Sequence, residues 1–258
     1  FVKTELKKEN INTKWVIDDA RPTTFKIRYM VGAQKILRVS RLKEHHLDKK
    51  MEQDVIESLN FLAQGIDGIV VSDFGYGVIT PKILEHILFL GKKYKIKLFG
   101  DVQSSSQIGN VCKLNGYYCL TPTEKEVRIA LNDKYSGLEL LGTNLLKKTN
   151  SQNIVLTLGA DGFITFAKSL KDDFIKTQHF PAINPNPIDI VGAGDALLTS
   201  LAVSTCAGAN LMEASVIGAV LAGIAISKMG NIPVKLDELK RELDNYFIFN
   251  EKLASVGT

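Results

Sequence analysis

Hydrophobic positions alternate between two spacings along the chain, and this alternation predicts helices and strands in turn. Apolar residues recur every three or four positions in segments such as 48–63, which is typical of amphipathic helices. Short continuous apolar runs such as 65–73 are typical of strands buried in a sheet. The predicted helices are 48–63, 81–94, 124–131, 138–148, 196–206, 211–229 and 236–246, and the predicted buried strands are 65–73, 96–101, 117–120, 153–158 and 163–166. Strands that alternate with helices predict an α/β fold around a mostly parallel sheet.

Residues 20–41 contain a separate predicted unit, a β-hairpin. Segments 24–29 and 35–41 alternate apolar and basic side chains on either side of a turn at residues 31–33. This period of two predicts paired antiparallel strands with one cationic face. Because an exposed hairpin can pair with its own copy, we expect a homodimer formed through it.

Composition and charge exclude several classes of protein. The 258 residues are 45% hydrophobic and 23% charged, which excludes a disordered or fibrous chain. A net charge of +4 is small and evenly spread, so we expect a small-molecule ligand and no nucleic acid. The longest near-apolar stretch, 215–227, is shorter than the roughly 18 residues of a membrane span, so we expect no membrane association. Cys112, Cys119 and Cys206 have neither disulfide nor zinc spacing, which fits the reducing cytoplasm.

The segment 189–195, DIVGAGD, carries the clearest chemical signal and directly precedes a predicted helix. Its glycines allow the N–H groups of Gly192, Ala193 and Gly194 to point at one spot, at the positive end of the helix dipole. A carboxylate at Asp195 could accept a proton from an alcohol while these N–H groups stabilise a transferring phosphoryl group. A plain glycine turn followed by a helix-initial aspartate is the alternative interpretation.

Two further segments point in the same direction. Segment 121–127, TPTEKEV, places Glu126 just inside a helix start after a strand, within reach of a metal-bound water. Segment 157–162, TLGADG, predicts a tight turn between two strands, where backbone can lie against a nucleotide. Each alone also fits ordinary capping or turn chemistry. Their occurrence in this order, with DIVGAGD, favours the functional interpretation.

Together with segments 20–41 and 72–81 (SDFGYGVITP), these motifs resemble the ribokinase (phosphofructokinase-B) superfamily of carbohydrate kinases. Within it, the chain looks most like the bacterial heptose-phosphate kinases of ADP-heptose synthesis. The resemblance implies a three-layer α/β/α sandwich over residues 1–258, with a mostly parallel central sheet and a small β lid formed by 20–41. It also implies an enzyme that uses ATP and Mg²⁺, with K⁺ in some members, to phosphorylate a hydroxyl of a sugar or sugar phosphate.

The resemblance implies roles for individual residues. Asp195 would be the catalytic base, and Gly192, Ala193 and Gly194 the anion hole. The residues implied at ATP and its Mg²⁺ are Thr123, Glu124, Lys125, Glu126, Thr157, Gly159 and Gly162, with Glu126 acting on the metal through a water. Asp189 would lie near a monovalent cation. The residues expected to face the sugar are Lys26, Arg28, Arg38 and Asp73, although a solvated cationic face is the alternative for the first three.

The chain also departs from the family's pattern. Family members commonly have Asn, Lys, Lys and Asn where this chain has Thr123, Tyr76, Gln103 and Ala219. The changes at Tyr76 and Gln103 remove cations that could neutralise phosphate. The sequence begins after the family's first strands and without Met, so we expect a longer polypeptide. Two alternatives therefore remain: a non-catalytic module for dimerisation or regulation beside another domain, and a kinase for another sugar or nucleoside.

Overall fold

The computed structural model describes residues 2–31, 34–103, 110–169, 174–184, 186–230 and 232–256. The strands are β1 Phe25–Val31, β2 Gln34–Arg41, β3 Gly68–Asp73, β4 Lys97–Val102, β5 Cys119–Leu120, β6 Asn153–Thr157, β7 Phe163–Lys168 and β8 Ile175–Phe180. The α-helices are α1 Val2–Lys8, α2 Lys49–Leu62, α3 Pro81–Tyr94, α4 Glu124–Leu131, α5 Leu138–Thr149, α6 Ala193–Cys206, α7 Leu211–Ala225 and α8 Leu236–Val256. Two short 3-10 helices span Val111–Lys113 and Gly159–Asp161.

Strands β3 to β8 form one six-stranded sheet whose spatial order follows the sequence. The pairs β3–β4, β4–β5 and β5–β6 are parallel, whereas β6–β7 and β7–β8 are antiparallel. Parallel neighbours need a crossover connection, and α3, α4 and α5 lie within those connections. The carboxyl ends of β3, β4, β5 and β6 therefore share one edge of the sheet.

Two apolar clusters cover opposite faces of this sheet. Successive strand residues point to opposite faces, so Leu98 and Phe99 on β4 enter different clusters. The cluster with Leu98 contains buried residues of α2, α3, α4 and α5, and the cluster with Phe99 contains Leu197 and Leu201 of α6. Burying one such side chain stabilises the fold by about 1.5–3 kcal/mol. The result is three layers, helices on both faces of a sheet, as the resemblance to the ribokinase superfamily implies.

Strands β1 and β2 form a separate antiparallel hairpin. Arg28 lies directly opposite Arg38, so these two side chains and Lys26 share one face. The opposite face carries the apolar side chains Phe25, Ile27, Tyr29, Leu37 and Val39. The register shifts between Tyr29 and Met30. The predicted turn includes residues 32 and 33, which lie outside the described residues.

Some boundaries differ from the sequence predictions, each for a physical reason. Helix α6 begins at Ala193 and not at 196, because Gly192 caps it in a left-handed conformation. Strand β8 is not predicted from the sequence because its side chains are mostly polar and exposed and form no apolar run. Helix α1 buries no residue and therefore has no apolar stripe to find. No helix in the described part of the chain combines the length and apolarity needed to cross a membrane.

Candidate active site

A cavity of about 480 Å³ opens at the edge where the parallel strands end. In open α/β sheets this edge is where ligands bind. The predicted site residues that line the cavity are Thr123, Thr157, Gly159, Gly162, Ala193 and Gly194. The structure therefore brings together residues from three motifs that lie up to about 70 positions apart.

The start of α6 forms one wall of the cavity. Gly192, the N-cap, has a φ of 91°, a left-handed conformation that glycine adopts without strain. The first N–H groups of a helix have no carbonyl four residues earlier to receive them. Among the described residues, no backbone carbonyl accepts from the N–H groups of Gly192, Ala193 or Gly194. These donors are free for an anion beside Asp195, which lies in the same first turn with its side chain exposed.

Asp189 fixes the loop that leads into α6. Its Oδ1 accepts from the N–H of Val191 and its Oδ2 from the N–H of Gly230, both at 3.1 Å. The N–H groups of Ile188 and Asp189 both donate to the carbonyl of Ile226, just after α7. This bonding helps explain why α7 ends at Ala225 and not at 229. The predicted cation role of Asp189 stays a prediction, and a cation would have to share oxygens that already accept N–H groups.

Thr123 and Glu126 close the start of α4 in a capping box. Oγ1 of Thr123 accepts from the N–H of Glu126 at 3.3 Å, and Oε2 of Glu126 accepts from the N–H of Thr123 at 2.8 Å. The N–H and hydroxyl of Thr157 both donate to the carbonyl of Pro122, at 2.9 and 3.3 Å. These bonds hold Thr123 and Thr157 side by side at the cavity.

The structure places Glu124 and Lys125 outside the cavity, although both are predicted near ATP. Glu124 forms an ion pair with Arg128 at 2.7 Å, one turn further along α4. Lys125 is exposed, and both residues border a surface depression on the outer side of this helix. Successive residues of a helix point in different directions. Glu124 and Lys125 therefore do not face the cavity that Thr123 lines.

The glycines of TLGADG shape the opposite wall. Gly162 has a φ of 84°, and a Cβ there would lie 2.0 Å from the carbonyl oxygen of Phe180. Only glycine permits this approach between the turn and the segment that follows β8. Gly159 also has a positive φ, at 64°, and a Cβ there would meet no atom within 4 Å. The space beside Gly159 at the cavity is therefore open, and no neighbouring atom packs against this position.

Sequence reasoning missed the apolar part of the lining. Helix α7 and the residue after it contribute a stripe of small and apolar residues, Ala219, Ala222, Gly223 and Ile226. Their spacing of three and four is visible in the sequence but also fits ordinary helix packing. Ala219 stands where the family commonly has Asn, so this wall is apolar. An apolar slot lined by small residues can receive a flat aromatic ring such as a nucleobase.

Asp101, near the end of β4, is a further acidic residue of this region that the sequence analysis did not select. Burial raises the pKa of Asp101 to about 7, and the nearby carboxylates of Glu126 and Asp195 add to the rise. Within the described residues, no group of three His, Cys, Asp or Glu side chains could hold a metal ion alone. Carboxylate oxygens are donors that Mg²⁺ takes in proteins, usually one or two of them beside several waters and substrate phosphates.

Asp73 ends β3 in a buried position. Its side chain is 4% exposed, its Oδ1 accepts from the N–H of Gly75 at 2.7 Å, and its Oδ2 pairs with Lys113. The predicted contact of Asp73 with a sugar would require this carboxylate to leave its partners. Of the three predicted cations of the hairpin, Lys26 is half-buried over the loop after β3, and Arg28 and Arg38 are exposed.

A mostly parallel sheet that ends in an apolar cavity, beside a helix start with free N–H groups, suits a ligand with an anionic group and an apolar part. The family model for pfkB family carbohydrate kinases matches residues 1–238. The chain belongs to this family, which confirms the predicted class of carbohydrate kinase, a phosphotransferase.

Curated relatives share this similarity over most of the chain. The bifunctional protein HldE of Sulfurimonas denitrificans is 29% identical over 229 residues, which cover 87% of this chain and 46% of that protein. The bifunctional protein HldE of Campylobacter jejuni subsp. doylei is 29% identical over 254 residues, which cover 96% of this chain and 51% of that protein. The chain thus spans about half the length of these relatives.

Solved structures confirm the predicted ribokinase-like fold. Phosphofructokinase-2 from Escherichia coli, in complex with potassium, superposes with a TM-score of 0.74 at 15% identity, covering 93% of this chain and 76% of that one. Ribokinase from Thermotoga maritima superposes with a TM-score of 0.71 at 19% identity, covering 94% and 76%. At this level of identity the likeness concerns the fold.

Proposed function

We propose that this chain transfers the terminal phosphoryl group of ATP to a hydroxyl of a sugar phosphate, of the heptose-phosphate class. The observation that carries the proposal is the start of α6, where Asp195 shares one helical turn with free N–H groups that line the cavity. The similarity to HldE proteins supports the choice of a heptose phosphate.

The donor nucleotide occupies the cavity in this proposal. Its base lies against the small residues of α7, which exclude water from the ring faces. Its phosphates point to the N–H groups of Ala193 and Gly194, which favour negative charge together with the helix dipole. Glu126 holds Mg²⁺ through a water, and this ion neutralises phosphate charge. A monovalent cation near Asp189 belongs to the same proposal, and its test is the dependence of turnover on K⁺.

The acceptor reacts at Asp195. Its carboxylate accepts the proton of the sugar hydroxyl as that oxygen bonds to the terminal phosphorus and the bond to the ADP oxygen breaks. The N–H groups of Gly192, Ala193 and Gly194 stabilise the charge on the transferring group. The transfer is in line and direct, and the enzyme carries no covalent intermediate.

The hairpin serves as the lid over the acceptor and as the contact between two copies. Its cationic face, with Lys26, Arg28 and Arg38, supplies positive charge for an anionic sugar. Its other face exposes Tyr29 by 52% and Leu37 by 53%. Apolar exposure of this kind on one side of a hairpin fits a self-complementary contact with a second copy.

Replacing the base tests the proposal most directly. Asp195→Asn should lower turnover by about two to four orders of magnitude, the usual range for general-base catalysis, while folding and ATP binding persist. The measurement is ADP formation against a panel of hexose, heptose and pentose phosphates, their unphosphorylated sugars and nucleosides. Asp237→Asn, an exposed aspartate in the first turn of α8, is the matched control. An active Asp195→Asn variant would exclude this aspartate as the base.

The altered positions Thr123, Tyr76, Gln103 and Ala219 favour a second candidate function, a non-catalytic module beside another domain. A thermal-shift assay with ATP and Mg²⁺ separates the two functions. Binding at 100 times Kd should stabilise a kinase by about 2.7 kcal/mol, and no shift would favour the module. The third candidate is a kinase for another sugar or a nucleoside. ADP formation with the acceptors described above tests this candidate.

A further inference from the structure

The loop of residues 74–77, directly after β3, is where both ends of the hairpin attach. Arg21, before β1, donates to the carbonyl of Tyr76 at 2.5 Å and also to the carbonyl of His45, after β2. The N–H of Leu47 donates to the carbonyl of Gly77 at 3.2 Å. A Cβ at Gly77 would lie 2.1 Å from the oxygen of His45, so the two backbones are in close contact.

The same loop holds a hairpin lysine over two aromatic rings. Phe74 and Tyr76 are stacked, with ring centres 6.4 Å apart and ring planes 17° from parallel. Nζ of Lys26 lies 5.3 Å from the centre of the Phe74 ring and 5.1 Å from that of Tyr76. Both distances are within the range of a cation–π interaction, about 6 Å. Two rings therefore hold one ammonium group.

This contact fixes a charge that would otherwise move freely. A lysine side chain has four rotatable bonds, and ordering it costs conformational entropy. The ring faces leave N–H donors of the ammonium group available, because they attract the charge without accepting strong hydrogen bonds. Lys26 also shares its hairpin face with Arg28 and Arg38. The rings thus fix the position of one charge in a group of three.

Lys26 and the loop after β3 lie on the side of the candidate site where the sugar acceptor binds in the proposed function. Residue 73 of β3 pairs with residue 102 of β4, so the loop starts beside the end of β4. Asp101 lies at that end, and its electrostatic contact with Asp195 links it to the proposed base. The ATP cavity lies at the other end of the same sheet edge, towards β6 and β7. An anionic group held near Lys26 therefore belongs to the acceptor.

We propose that Tyr76 and Phe74 are positioning residues that hold Lys26 for the phosphate group of the acceptor. The ring pair thereby sets the preference of the site for a phosphorylated sugar over the same sugar without phosphate. This inference rests on the proposed kinase function. The phosphate, a dianion near neutral pH, receives charge-assisted hydrogen bonds from the ammonium group and from the arginines beside it.

The test separates the ring from the hydroxyl of Tyr76. Tyr76→Leu should raise KM for the best sugar phosphate of the panel by roughly tenfold, the scale of a partly desolvated cation–π contact. The kcat, KM for ATP and KM for the unphosphorylated sugar should stay within about twofold. Tyr76→Phe keeps the ring and should restore the low KM. Tyr76 is only half-buried, so these variants are expected to fold, and thermal unfolding checks this.

Two further variants connect the effect to Lys26. Lys26→Met should raise the same KM, and the double variant Lys26→Met/Tyr76→Leu should be no worse than Lys26→Met alone, because both remove one interaction. Phe89→Leu is the matched control, since Lys93 lies 5.7 Å from the centre of this ring on α3. Removing that pair should leave every KM unchanged.

Several outcomes would overturn the inference. They are an equal rise of KM for the sugar and its phosphate, a Tyr76→Phe variant as poor as Tyr76→Leu, and additive effects in the double variant. If the wild-type chain phosphorylates nothing in the panel, the proposed function fails, and calorimetric binding of the same sugar phosphates tests the inference alone. Binding that Tyr76→Leu weakens and Tyr76→Phe retains would support it. Binding unchanged by Tyr76→Leu, or no binding by the wild type, would refute it.

Discussion

At the residue scale, Asp101 is a largely buried carboxyl group with two acidic side chains, Glu126 and Asp195, near it. Burial raises the pKa of Asp101 to about 7, and repulsion from Glu126 and Asp195 contributes to this rise. A carboxylic acid that keeps its proton can donate a hydrogen bond, whereas a carboxylate can only accept one. Asp101 is therefore a potential donor within an acidic region.

The raised pKa makes the stability of the protein depend on pH. An acid with a folded pKa above its ordinary value of 3.8 stabilises the fold fully below about pH 4, and this contribution is lost as pH rises through about 7. Asp101→Asn cannot ionise and avoids the loss. The variant should melt at a higher temperature than the parent at pH 8.5, and the difference should shrink towards pH 5. Thermal unfolding across this range measures it, and a difference independent of pH would contradict the assignment.

Individual residues show how far the sequence predicts the site. The motif at 192–195 is local, so the sequence predicts a helix start with a carboxylate beside it, although the helix begins three residues earlier than predicted. The pairing of Asp73 with Lys113 joins residues 40 positions apart, and no local pattern reveals it. In the sequence, Tyr76 is recognised only as a replacement for the family's lysine. The contact of its ring with Lys26, 50 positions earlier in the chain, is visible only in the fold.

At the element scale, two helices begin with the same reciprocal bonding. In α4 the pair is Thr123 and Glu126, and in α7 it is Asn210 and Glu213. Thr123 of the first pair lines the 480 Å³ cavity, whereas neither residue of the second pair does. Comparing the two caps therefore separates an effect on a ligand in the cavity from a general effect on stability.

The two caps can be compared directly. Thr123→Ala should destabilise the protein by about 1 kcal/mol and weaken ATP binding, whereas Thr123→Asn retains a good capping oxygen and should cost less. Asn210→Ala should cost a similar amount of stability without changing ATP affinity. Denaturant unfolding and ATP titration measure the two effects. Equal loss of ATP affinity in Asn210→Ala would show that the effect is not local to the cavity.

Helix α5 depends on a glycine for its contact with β7. A Cβ at Gly142 would lie 2.2 Å from the ring of Phe166, which is fully buried. Gly→Ala within a helix normally stabilises by about 1 kcal/mol. Gly142→Ala should instead destabilise by about 1–3 kcal/mol, because the ring must move within a packed core. Gly137→Ala, where a Cβ meets nothing within 4 Å, is the control, and denaturant unfolding measures both.

Burial determines which elements the sequence predicts. Helices such as α3 and strands such as β6 bury a face and leave a regular apolar pattern. Helix α1 and strand β8 bury few side chains and are held by main-chain hydrogen bonds. Their sequences therefore show no regular apolar pattern. The stripe on α7 is visible as a pattern, but only the fold shows that part of it lines a cavity.

At the scale of the whole molecule, the hairpin has two different faces, one basic and one apolar. Its basic face carries Lys26 to the loop after β3, and its apolar face is left exposed, with Phe25 at 60% and Val39 at 44%. A two-fold axis through such a face would bury the same side chains from both copies. The acceptor-binding face would remain available in the dimer.

The proposed dimer can be broken without altering the basic face. Tyr29→Lys and Leu37→Lys together should convert a dimer to a monomer, because four buried ammonium groups would oppose each other across the axis. Phe61→Lys, on α2 and 75% exposed, is the matched control and should leave the mass unchanged. Light scattering after size-exclusion chromatography measures the mass. A wild-type monomer, or a double variant that remains dimeric, would contradict the proposed contact.

The attachment of Arg21 limits how the hairpin can move. One guanidinium group bonds the chain after β2 and the loop after β3, while its own backbone leads into β1. A hinge at this root would have to break both bonds at once. In the proposed lid, these two bonds therefore keep the root of the hairpin in place while acceptor enters and product leaves.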